Sequence, residues 1–264
     1  MAKDLPAIAG GSYDEFVDWD ARFDRERSFF EALFRPAGVS YVIDVGAGSA
    51  RHAIMFATWG IDVIAVDPDD SMLEQARENV ERFAPDVRAG GGSVTVTRGG
   101  FGELQPLGLD AADALTCTGN ALPHVGGRAA LAATLLDFAA VLKPGGLLVL
   151  HLLNHQRLLA ARIRAIAPKV RETAQGTKVF LRLIDYPEGE EYLDFDFVTL
   201  LRDADGDWSL TSRRSQHTAL PRDVLTDALG TAGFTDVETF GDHSRRPLDP
   251  LADESMIVTA RRRA

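Results

Sequence analysis

Two glycines and two aspartates in the first part of the chain have the types and spacing needed to bind a nucleotide-like ligand. Gly46 and Gly48 lie between an apolar run and an amphipathic helical pattern, where glycine lets the backbone turn tightly and approach a ligand. Asp67 ends the next apolar run, where a carboxylate is placed to accept hydrogen bonds from ribose hydroxyls. Asp44 lies just before Gly46 in a predicted buried strand and suits a cationic ligand better than a pyrophosphate.

The same elements occur in NAD-binding domains, so the glycine spacing has to show whether the ligand is NAD or a different nucleotide-like molecule. A dinucleotide fingerprint reads G-x-G-x-x-G, whereas Arg51 stands here where its third glycine would fall. An NAD-dependent oxidoreductase is therefore disfavoured and remains an alternative of a different class.

Apolar runs that alternate with helical patterns predict the scaffold that positions these residues. The predicted strands of the main sheet are 41–45, 61–67, 93–97, 113–118, 147–153, 234–240 and 254–262. The predicted helices between them are 49–59, 68–83, 128–142 and 221–232, with a glycine-rich loop at 88–92. This alternation predicts right-handed crossovers and an α/β, Rossmann-like fold with a seven-stranded, doubly wound, mostly parallel sheet.

The pattern changes after the fifth strand. A predicted helix over 156–167 is followed by segments with strand-like alternation, at 177–186, 191–202 and 208–220. We interpret residues 168–220 as an antiparallel β insertion within a single domain, 1–264, because the α/β pattern resumes afterwards. An insertion at this place would hang over the carboxyl ends of the strands, so we expect it to act as a substrate cap.

Aromatic residues at helical spacing precede the first strand. They predict two helices between residues 13 and 35, with a break near Asp20. We expect these helices to belong to an N-terminal helical lid formed by residues 1–38.

The composition disfavours several classes of function. The chain has 264 residues and a net charge of −11, which disfavours nucleic acid as a partner because phosphates require a basic surface. Cys117 is the single cysteine, so neither an intramolecular disulfide nor a cysteine-based zinc site is expected. No apolar run is long enough to cross a membrane, and the first residues do not resemble a signal peptide. We therefore expect a cytoplasmic protein without a membrane partner, and a homo-oligomer remains open.

Several features in the right order resemble the class I S-adenosylmethionine-dependent methyltransferases. They are the turn DVGAGSA, the aspartate at the end of the second strand, the segment ADALTCTGNALPHV and the junction LKPGGLLVL. The resemblance implies S-adenosyl-L-methionine as the cofactor, S-adenosyl-L-homocysteine as the product and a small molecule as the methyl acceptor. Together with the turn, it gives these candidate cofactor-binding residues: Tyr13, Arg22, Asp44, Gly46, Gly48, Asp67, Pro68, Gly100, Phe101 and Thr118.

A closer resemblance is to small-molecule N-methyltransferases similar to glycine N-methyltransferase and the glycine/sarcosine methyltransferases. The segment CTGNALPH is similar to their C-x-G-N-S-x-x-H pattern, which places Asn120 and His124 beside the substrate. Asn120 would orient the acceptor, and His124 would act as a base or hydrogen-bond partner, or would simply shape the pocket. The same resemblance places Arg22 on the methionine carboxylate and Tyr13 in the lid.

The sequence departs from this family pattern at two places. Gly100 precedes Phe101 where related enzymes carry an acidic or amide side chain, so only backbone groups and Phe101 would hold the adenine. The arginine that clamps the carboxylate of glycine after the fifth strand is absent, which makes glycine a doubtful acceptor. Asn154, His155 or Arg157 would bind a different polar group there, and Asn154 and Arg157 are taken as candidate substrate-binding residues.

We therefore predict a methyltransferase of a small molecule that acts at an amine nitrogen, with oxygen and carbon acceptors as alternatives. A non-catalytic adenosylmethionine-binding protein is a further alternative. His151 and His155 have the i, i+4 spacing of a helical metal site, but His151 ends a predicted strand, so no metal site is predicted. The acidic run over 188–207 either selects a cationic substrate or forms a solvated face.

Overall fold

The computed structural model describes residues 11–264, and the predicted lid residues before Gly11 lie outside them. In chain order, the strands are β1 (Tyr41–Val45), β2 (Asp62–Asp67), β3 (Ser93–Arg98), β4 (Ala112–Cys117), β5 (Leu142–Leu153), β6 (Ala165–Thr173), β7 (Gly176–Asp185), β8 (Tyr192–Arg202), β9 (Trp208–Thr218), β10 (Phe234–Phe240) and β11 (Ser255–Arg262). The helices are α1 (Gly11–Phe16), α2 (Trp19–Phe34), α3 (Arg51–Ala57), α4 (Asp70–Arg82), α5 (Ala84–Gly90), α6 (Arg128–Ala140), α7 (His155–Ala161) and α8 (Arg222–Thr231).

The main sheet has 7 strands in the order β10-β11-β5-β4-β1-β2-β3. The first five strands run parallel, and β11 runs antiparallel between β5 and β10. The predicted α/β fold class, with a seven-stranded and mostly parallel sheet, is therefore confirmed. Because β1 lies between β2 and β4, the carboxyl ends of these three strands meet at one edge of the sheet.

Alternating side chains of β1 divide the apolar core into two layers. Ile43 and Val45 belong to a buried cluster that includes side chains of α6 and α8. Val42 belongs to a second cluster that includes side chains of α2 and α3. Helices therefore cover both faces of the sheet, as expected for a strand whose residues are apolar on both sides.

Local boundaries differ from the predicted ones where capping decides them. The side chain of Asp69 accepts hydrogen bonds from the N–H groups of Ser71 and Met72, so α4 begins at Asp70 and Pro68 precedes the cap. The predicted glycine-rich loop at 88–92 begins inside α5. The helix predicted over 156–167 is the shorter α7, which ends at Ala161 and is capped by Arg162, whose φ is 48°.

The insertion after α7 is a second, 4-stranded antiparallel sheet in the order β6-β7-β8-β9. The sequence predicts three of these strands, and β6 is the one it misses. Pro168 and the charged side chains of Lys169 and Arg171 obscure the apolar alternation of β6, which begins before the predicted start of the insertion. Leu158 of α7 packs in one buried cluster with Ile184 and other side chains of this sheet.

The two N-terminal helices separate at Asp18, whose carboxylate accepts from the N–H of Ala21 and caps α2. Phe16 of α1 packs edge-on against Phe180 and Phe197, at ring-centroid distances of 5.5 and 5.1 Å. This contact places α1 against the insertion. Within residues 11–264, none of the helices has the length and apolar character needed to span a membrane.

Candidate active site

The turn after β1 is built by backbone geometry. Gly46 and Gly48 have φ angles of 67° and 55°, which side chains with a β-carbon rarely adopt. The N–H of Gly46 donates to the carbonyl of Val66 at 2.8 Å. A β-carbon on Gly46 would lie 2.5 Å from the β-carbon of Ala121, so only glycine fits between the ends of β1 and β4.

Asp67 ties this turn to the end of β2. One carboxylate oxygen accepts from the N–H of Gly48 at 2.8 Å, and the other accepts from the N–H of Asp69 at 2.9 Å. Burial raises the pKa of Asp67, and the two backbone hydrogen bonds oppose that shift. The remaining lone pairs of the carboxylate are available to ligand hydroxyls in the cavity that Asp67 lines.

A cavity of about 560 Å³ lies in front of the turn and extends to the insertion. It is lined by these predicted cofactor-binding residues: Tyr13, Gly46, Gly48, Asp67, Pro68, Gly100, Phe101 and Thr118. The predicted acceptor-binding residues Asn120 and His124 line it as well. The insertion contributes a further part of the wall: Arg182, Phe195, Asp196, Phe197, Arg213, Ser215 and His217.

Asp44 lies behind the turn and does not line this cavity. Its buried carboxylate accepts from the hydroxyl of Thr116 at 2.6 Å, and burial raises its pKa. The structure thus uses Asp44 to join β1 to β4 and does not place it for direct contact with a ligand in the cavity.

Arg22 of α2 reaches the cavity wall behind Tyr13 and Gly119. Its Nε donates to Oε1 of Glu26 at 2.8 Å, while its buried Nη2 has no hydrogen-bond partner within residues 11–264. A β-carbon on Gly119 would lie 3.2 Å from the hydroxyl of Tyr13 and 3.8 Å from Nη1 of Arg22. An unpartnered buried guanidinium nitrogen beside a glycine fits a ligand carboxylate.

Glu26 is the buried counter-charge of this region. Its Oε2 lies 2.6 Å from Nε2 of His52, and His243 approaches Oε1 at 3.7 Å. Burial alone would raise the pKa of Glu26, but His52 and Arg22 outweigh it and hold the pKa well below its usual range. Glu26, His151 and His243 have potential ligand atoms within 4.8 Å of one another. Because Arg22 and His52 already contact the carboxylate, we interpret this group as an internal ion-pair network.

Asn120 and His124 lie on the loop after β4. Asn120 has a φ of 69°, and its Oδ1 accepts from the N–H of Leu153 at 2.9 Å, which holds the loop to β5. The ring of His124 lies 4.3 Å from that of His217. Burial and the charge of Arg213 lower the pKa of His124 to about 4, so this imidazole is neutral at neutral pH.

The structure places neither Asn154 nor Arg157 at the cavity. The Oδ1 of Asn154 accepts from the N–H of Arg157 and caps α7, while its Nδ2 donates to two backbone carbonyls before β11. All polar atoms of the Asn154 side chain are therefore used in local structure. His155 is fully buried, and its Nδ1 accepts from the N–H of Leu220.

Two arginines of the insertion are among the cavity residues that the sequence reasoning missed. Arg182 of β7 and Arg213 of β9 are both paired with Phe197 of β8, and all three line the cavity. One signal was present in the sequence. Arg182 lies between Phe180 and Ile184 at a spacing of two residues, so the three side chains share one face of a strand. A charged side chain on an apolar face indicates either a partner or a ligand.

Comparison with known proteins agrees with this geometry. Residues 42–146 match the family described as "Methyltransferase domain". The chain is 31% identical over 148 residues to the glycine/sarcosine N-methyltransferase of Parasynechococcus marenigrum (strain WH8102), which covers 56% of this chain and 50% of that protein. It is 27% identical over 231 residues to the glycine/sarcosine N-methyltransferase of Aphanothece halophytica, which covers 87% of this chain and 79% of that protein. The chain thus spans about half the length of the first of these relatives and more of the second.

A solved S-adenosylmethionine-dependent methyltransferase from Clostridium acetobutylicum ATCC 824 has the same fold. The TM-score is 0.76 at 12% identity, over 96% of this chain and 97% of that chain. These similarities support a class I S-adenosylmethionine-dependent methyltransferase. S-Adenosyl-L-methionine is the cofactor of such enzymes. The cavity is lined by the glycine turn and by the acid after β2, while Arg22 lies behind Tyr13 and Gly119 and is not itself a lining residue.

Glu103 occupies the space beside Gly100. Its Oε2 accepts from the N–H of Gly100 at 2.8 Å and lies 3.3 Å from the position that a β-carbon on Gly100 would occupy. A carboxylate is therefore present next to Phe101, where the family resemblance leads one to expect an acidic side chain, although a later residue supplies it. Glu103 is exposed and does not itself line the cavity, and its position depends on how the loop folds back.

Proposed function

We propose that the protein transfers a methyl group from S-adenosyl-L-methionine to an amine nitrogen of a small molecule. The observation that carries this proposal is that one cavity joins the glycine turn to a wall of aromatic and polar side chains from the insertion. Its volume of about 560 Å³ is typical of small-molecule sites. The names of the two sequence relatives, both glycine/sarcosine N-methyltransferases, support nitrogen as the acceptor atom.

The cofactor, when bound, supplies a methyl group on a sulfonium centre. We propose that Asp67 accepts hydrogen bonds from its ribose, that Phe101 packs against its adenine and that Arg22 binds its carboxylate through the free Nη2. Little covalent help is needed for an in-line displacement, so the main task of the protein is to hold the acceptor lone pair about 3–3.5 Å from the methyl carbon.

His124 then orients the acceptor and does not deprotonate it. A group whose pKa is lowered to about 4 is a weak base for an ammonium ion, but its neutral ring nitrogen accepts a hydrogen bond from a neutral amine. The Oδ1 of Asn120 already accepts from the N–H of Leu153. Asn120 would therefore contact the acceptor through its amide nitrogen, as a donor. The positive charges of Arg182 and Arg213 further favour the neutral form of an amine in this cavity.

We also propose that residues 1–264 work as one domain, in which the insertion is the substrate cap and the N-terminal helices are the lid. Two contacts of α1 support this role. Glu15 accepts from Nζ of Lys178 at 2.6 Å, and Phe16 packs against the cavity face of the insertion. Tyr13, on the same helix, lines the cavity next to the turn.

Methyl transfer is tested by incubating the purified protein with S-adenosyl-L-methionine and a panel of amines, phenols and enols that includes glycine and sarcosine. We expect S-adenosyl-L-homocysteine to form with at least one amine, and tandem mass spectrometry to place the new methyl group on nitrogen. Methylation confined to oxygen or carbon would leave methyl transfer standing and correct the acceptor atom.

Two outcomes would reject methyl transfer itself. Tight binding of S-adenosyl-L-homocysteine without turnover of any acceptor would favour a non-catalytic binding protein. Thermal stabilisation by NAD and not by S-adenosyl-L-homocysteine would favour an oxidoreductase.

A further inference from the structure

We infer that the methyl acceptor carries an oxyanion group, and that Arg182 and Arg213 of the insertion bind it. This inference rests on the proposed function, because it names the class of acceptor for the same cavity. The group it requires is a carboxylate, or a phosphate with similar oxygen donors, in addition to the amine that receives the methyl group.

The register of the second sheet places both arginines in one row. Arg182 on β7 pairs with Phe197 on β8, and Phe197 pairs with Arg213 on β9. Directly paired residues share one face of a sheet, and neighbouring strands lie about 4.8 Å apart, so the two backbones are roughly 10 Å apart across Phe197. Two arginines thus lie on either side of Phe197 in the row of paired residues, and all three residues line the cavity.

Neither arginine has a counter-charge in contact within residues 11–264. No hydrogen bond or ion pair joins either side chain to a described residue, and Nε of Arg213 is buried without a partner. Burial lowers the pKa of Arg182, with Glu254 as the opposing charge. Both side chains are half-buried, and the guanidinium of Arg182 lies 5.4 Å from the ring centroid of Phe16. Arginines that line a cavity without a carboxylate partner are suited to bind an anion.

The opposite face of the same sheet shows that carboxylates are available but are used elsewhere. Arg214, next to Arg213 in sequence, bonds the carboxylates of Asp185 and Asp196 at 2.8 and 2.6 Å. Asp194 also lies near Arg214, at 4.0 Å. Two acids of the run, Asp194 and Asp196, therefore lie beside Arg214, which argues against a cationic substrate selected by these two carboxylates.

The rest of the cavity fits an acceptor with an apolar body between its two polar ends. Phe195 and Phe197 form part of the wall, and Phe195 stacks on His217 at a centroid distance of 4.1 Å. Lys169 adds positive charge near this wall, with Nζ 4.1 Å from the ring centroid of Phe16. Asp196 lines the cavity, but Arg214 neutralises it.

The test measures ligand binding to the protein saturated with S-adenosyl-L-homocysteine, so that it does not depend on turnover. Calorimetry compares phenylacetate with phenylacetamide, benzoate with benzamide, and phenylacetate with benzylphosphonate. We expect at least one carboxylate to bind about ten-fold more tightly than its uncharged amide. R182Q and R213Q should each reduce that preference, the double variant should abolish it, and R213K should retain part of it.

R164Q is the matched control, because Arg164 precedes the same sheet, is highly exposed and pairs with Asp185 outside the cavity. It should keep the carboxylate preference, and all these variants should bind S-adenosyl-L-homocysteine as the wild type does. Tighter binding of benzylphosphonate than of phenylacetate would identify phosphate as the preferred oxyanion.

The inference is overturned if the carboxylates bind no better than their amides, or if the preference for carboxylates survives in the double variant. Either result would leave the proposed methyl transfer intact. A protein that does not bind S-adenosyl-L-homocysteine would overturn both.

Discussion

The two ends of the cavity are built in different ways. At the cofactor end, main-chain conformation shapes the site: Gly46 and Gly48 turn with positive φ, and Asp67 is held by backbone N–H groups. At the acceptor end, side chains from three antiparallel strands shape it, and Arg182 and Arg213 are neighbours only through strand register. Substitutions in the insertion are therefore expected to change the acceptor while leaving the binding of the methyl donor intact.

The largest effect is expected where the cofactor end depends on a buried charge. E26Q should lower the free energy of unfolding by about 3 kcal/mol, because it leaves the guanidinium of Arg22 buried without its carboxylate. Chemical denaturation measures this loss. D24N is the matched control, because Asp24 is exposed on the same helix, and it should stay within about 0.5 kcal/mol of the wild type. Equal stabilities of E26Q and D24N would show that Glu26 is not the counter-charge of Arg22.

Acidification provides a second measure of the same ion pair. Since the pKa of Glu26 is held below its ordinary value of 4.5, its stabilising contribution is complete above that value and is lost as the pH falls below it. The stability difference between the wild type and E26Q should therefore shrink in acid. Denaturation curves recorded from neutral to acidic pH check this, and a constant difference would be contrary to the assignment.

Gly46 gives the sharpest test of backbone control at the cofactor end. G46A should weaken binding of S-adenosyl-L-homocysteine by about 100-fold, because the new β-carbon would meet that of Ala121 at 2.5 Å and φ is positive. Calorimetry gives the dissociation constant. Gly206, in the turn between β8 and β9, also has a positive φ and has no atom within 4 Å of an added β-carbon, so G206A is a control for backbone strain outside the cavity. Loss of affinity in G206A as large as in G46A would contradict this reading.

The same contrast explains how much of the protein the sequence predicts. The main sheet and the turn follow from local signals, namely apolar runs, glycines and Asp67, and the structure places them as expected. Arg182 and Arg213 escape prediction because their meeting depends on the register of three strands. The strand β6 escapes because Pro168 and neighbouring charges hide its alternation.

Two site predictions show how a local role imitates a functional one. Asn154 has the polarity and position of an acceptor ligand, yet it caps α7, which sequence position alone does not distinguish. Asp44 lies directly before the glycine turn, yet its carboxylate points to Thr116. In Asn154 the partners within the fold use all the polar atoms of the side chain, and in Asp44 the hydroxyl of Thr116 uses one carboxylate oxygen.

A smaller effect is expected at the junction of the two ends. H124N should lower kcat by about ten-fold, because it removes a hydrogen bond that orients the acceptor, while the affinity for S-adenosyl-L-homocysteine stays unchanged. The pH profile of kcat/KM should keep its shape in the variant, since the pKa of His124 is already lowered to about 4. An inflection near the ordinary pKa of histidine that disappears in H124N would instead identify His124 as a general base.

The smallest effect is expected at the exposed edge of the cofactor end. E103A should weaken the binding of S-adenosyl-L-homocysteine by only about three-fold, because Glu103 is exposed and acts through the N–H of Gly100. E103Q is the informative companion, since it keeps an oxygen acceptor without the charge. If E103A and the wild type bind S-adenosyl-L-homocysteine with the same affinity within error, Glu103 does not contribute to cofactor binding.

The central claim is that the turn and Asp67 form an S-adenosyl-L-methionine site, and calorimetry with S-adenosyl-L-homocysteine on the wild type and D67A tests it most directly. We expect one-to-one binding to the wild type, weakened by about ten-fold or more in D67A, because a charge-assisted hydrogen bond to the ribose is lost. Full affinity retained in D67A, or binding of NAD in place of S-adenosyl-L-homocysteine, would contradict the claim.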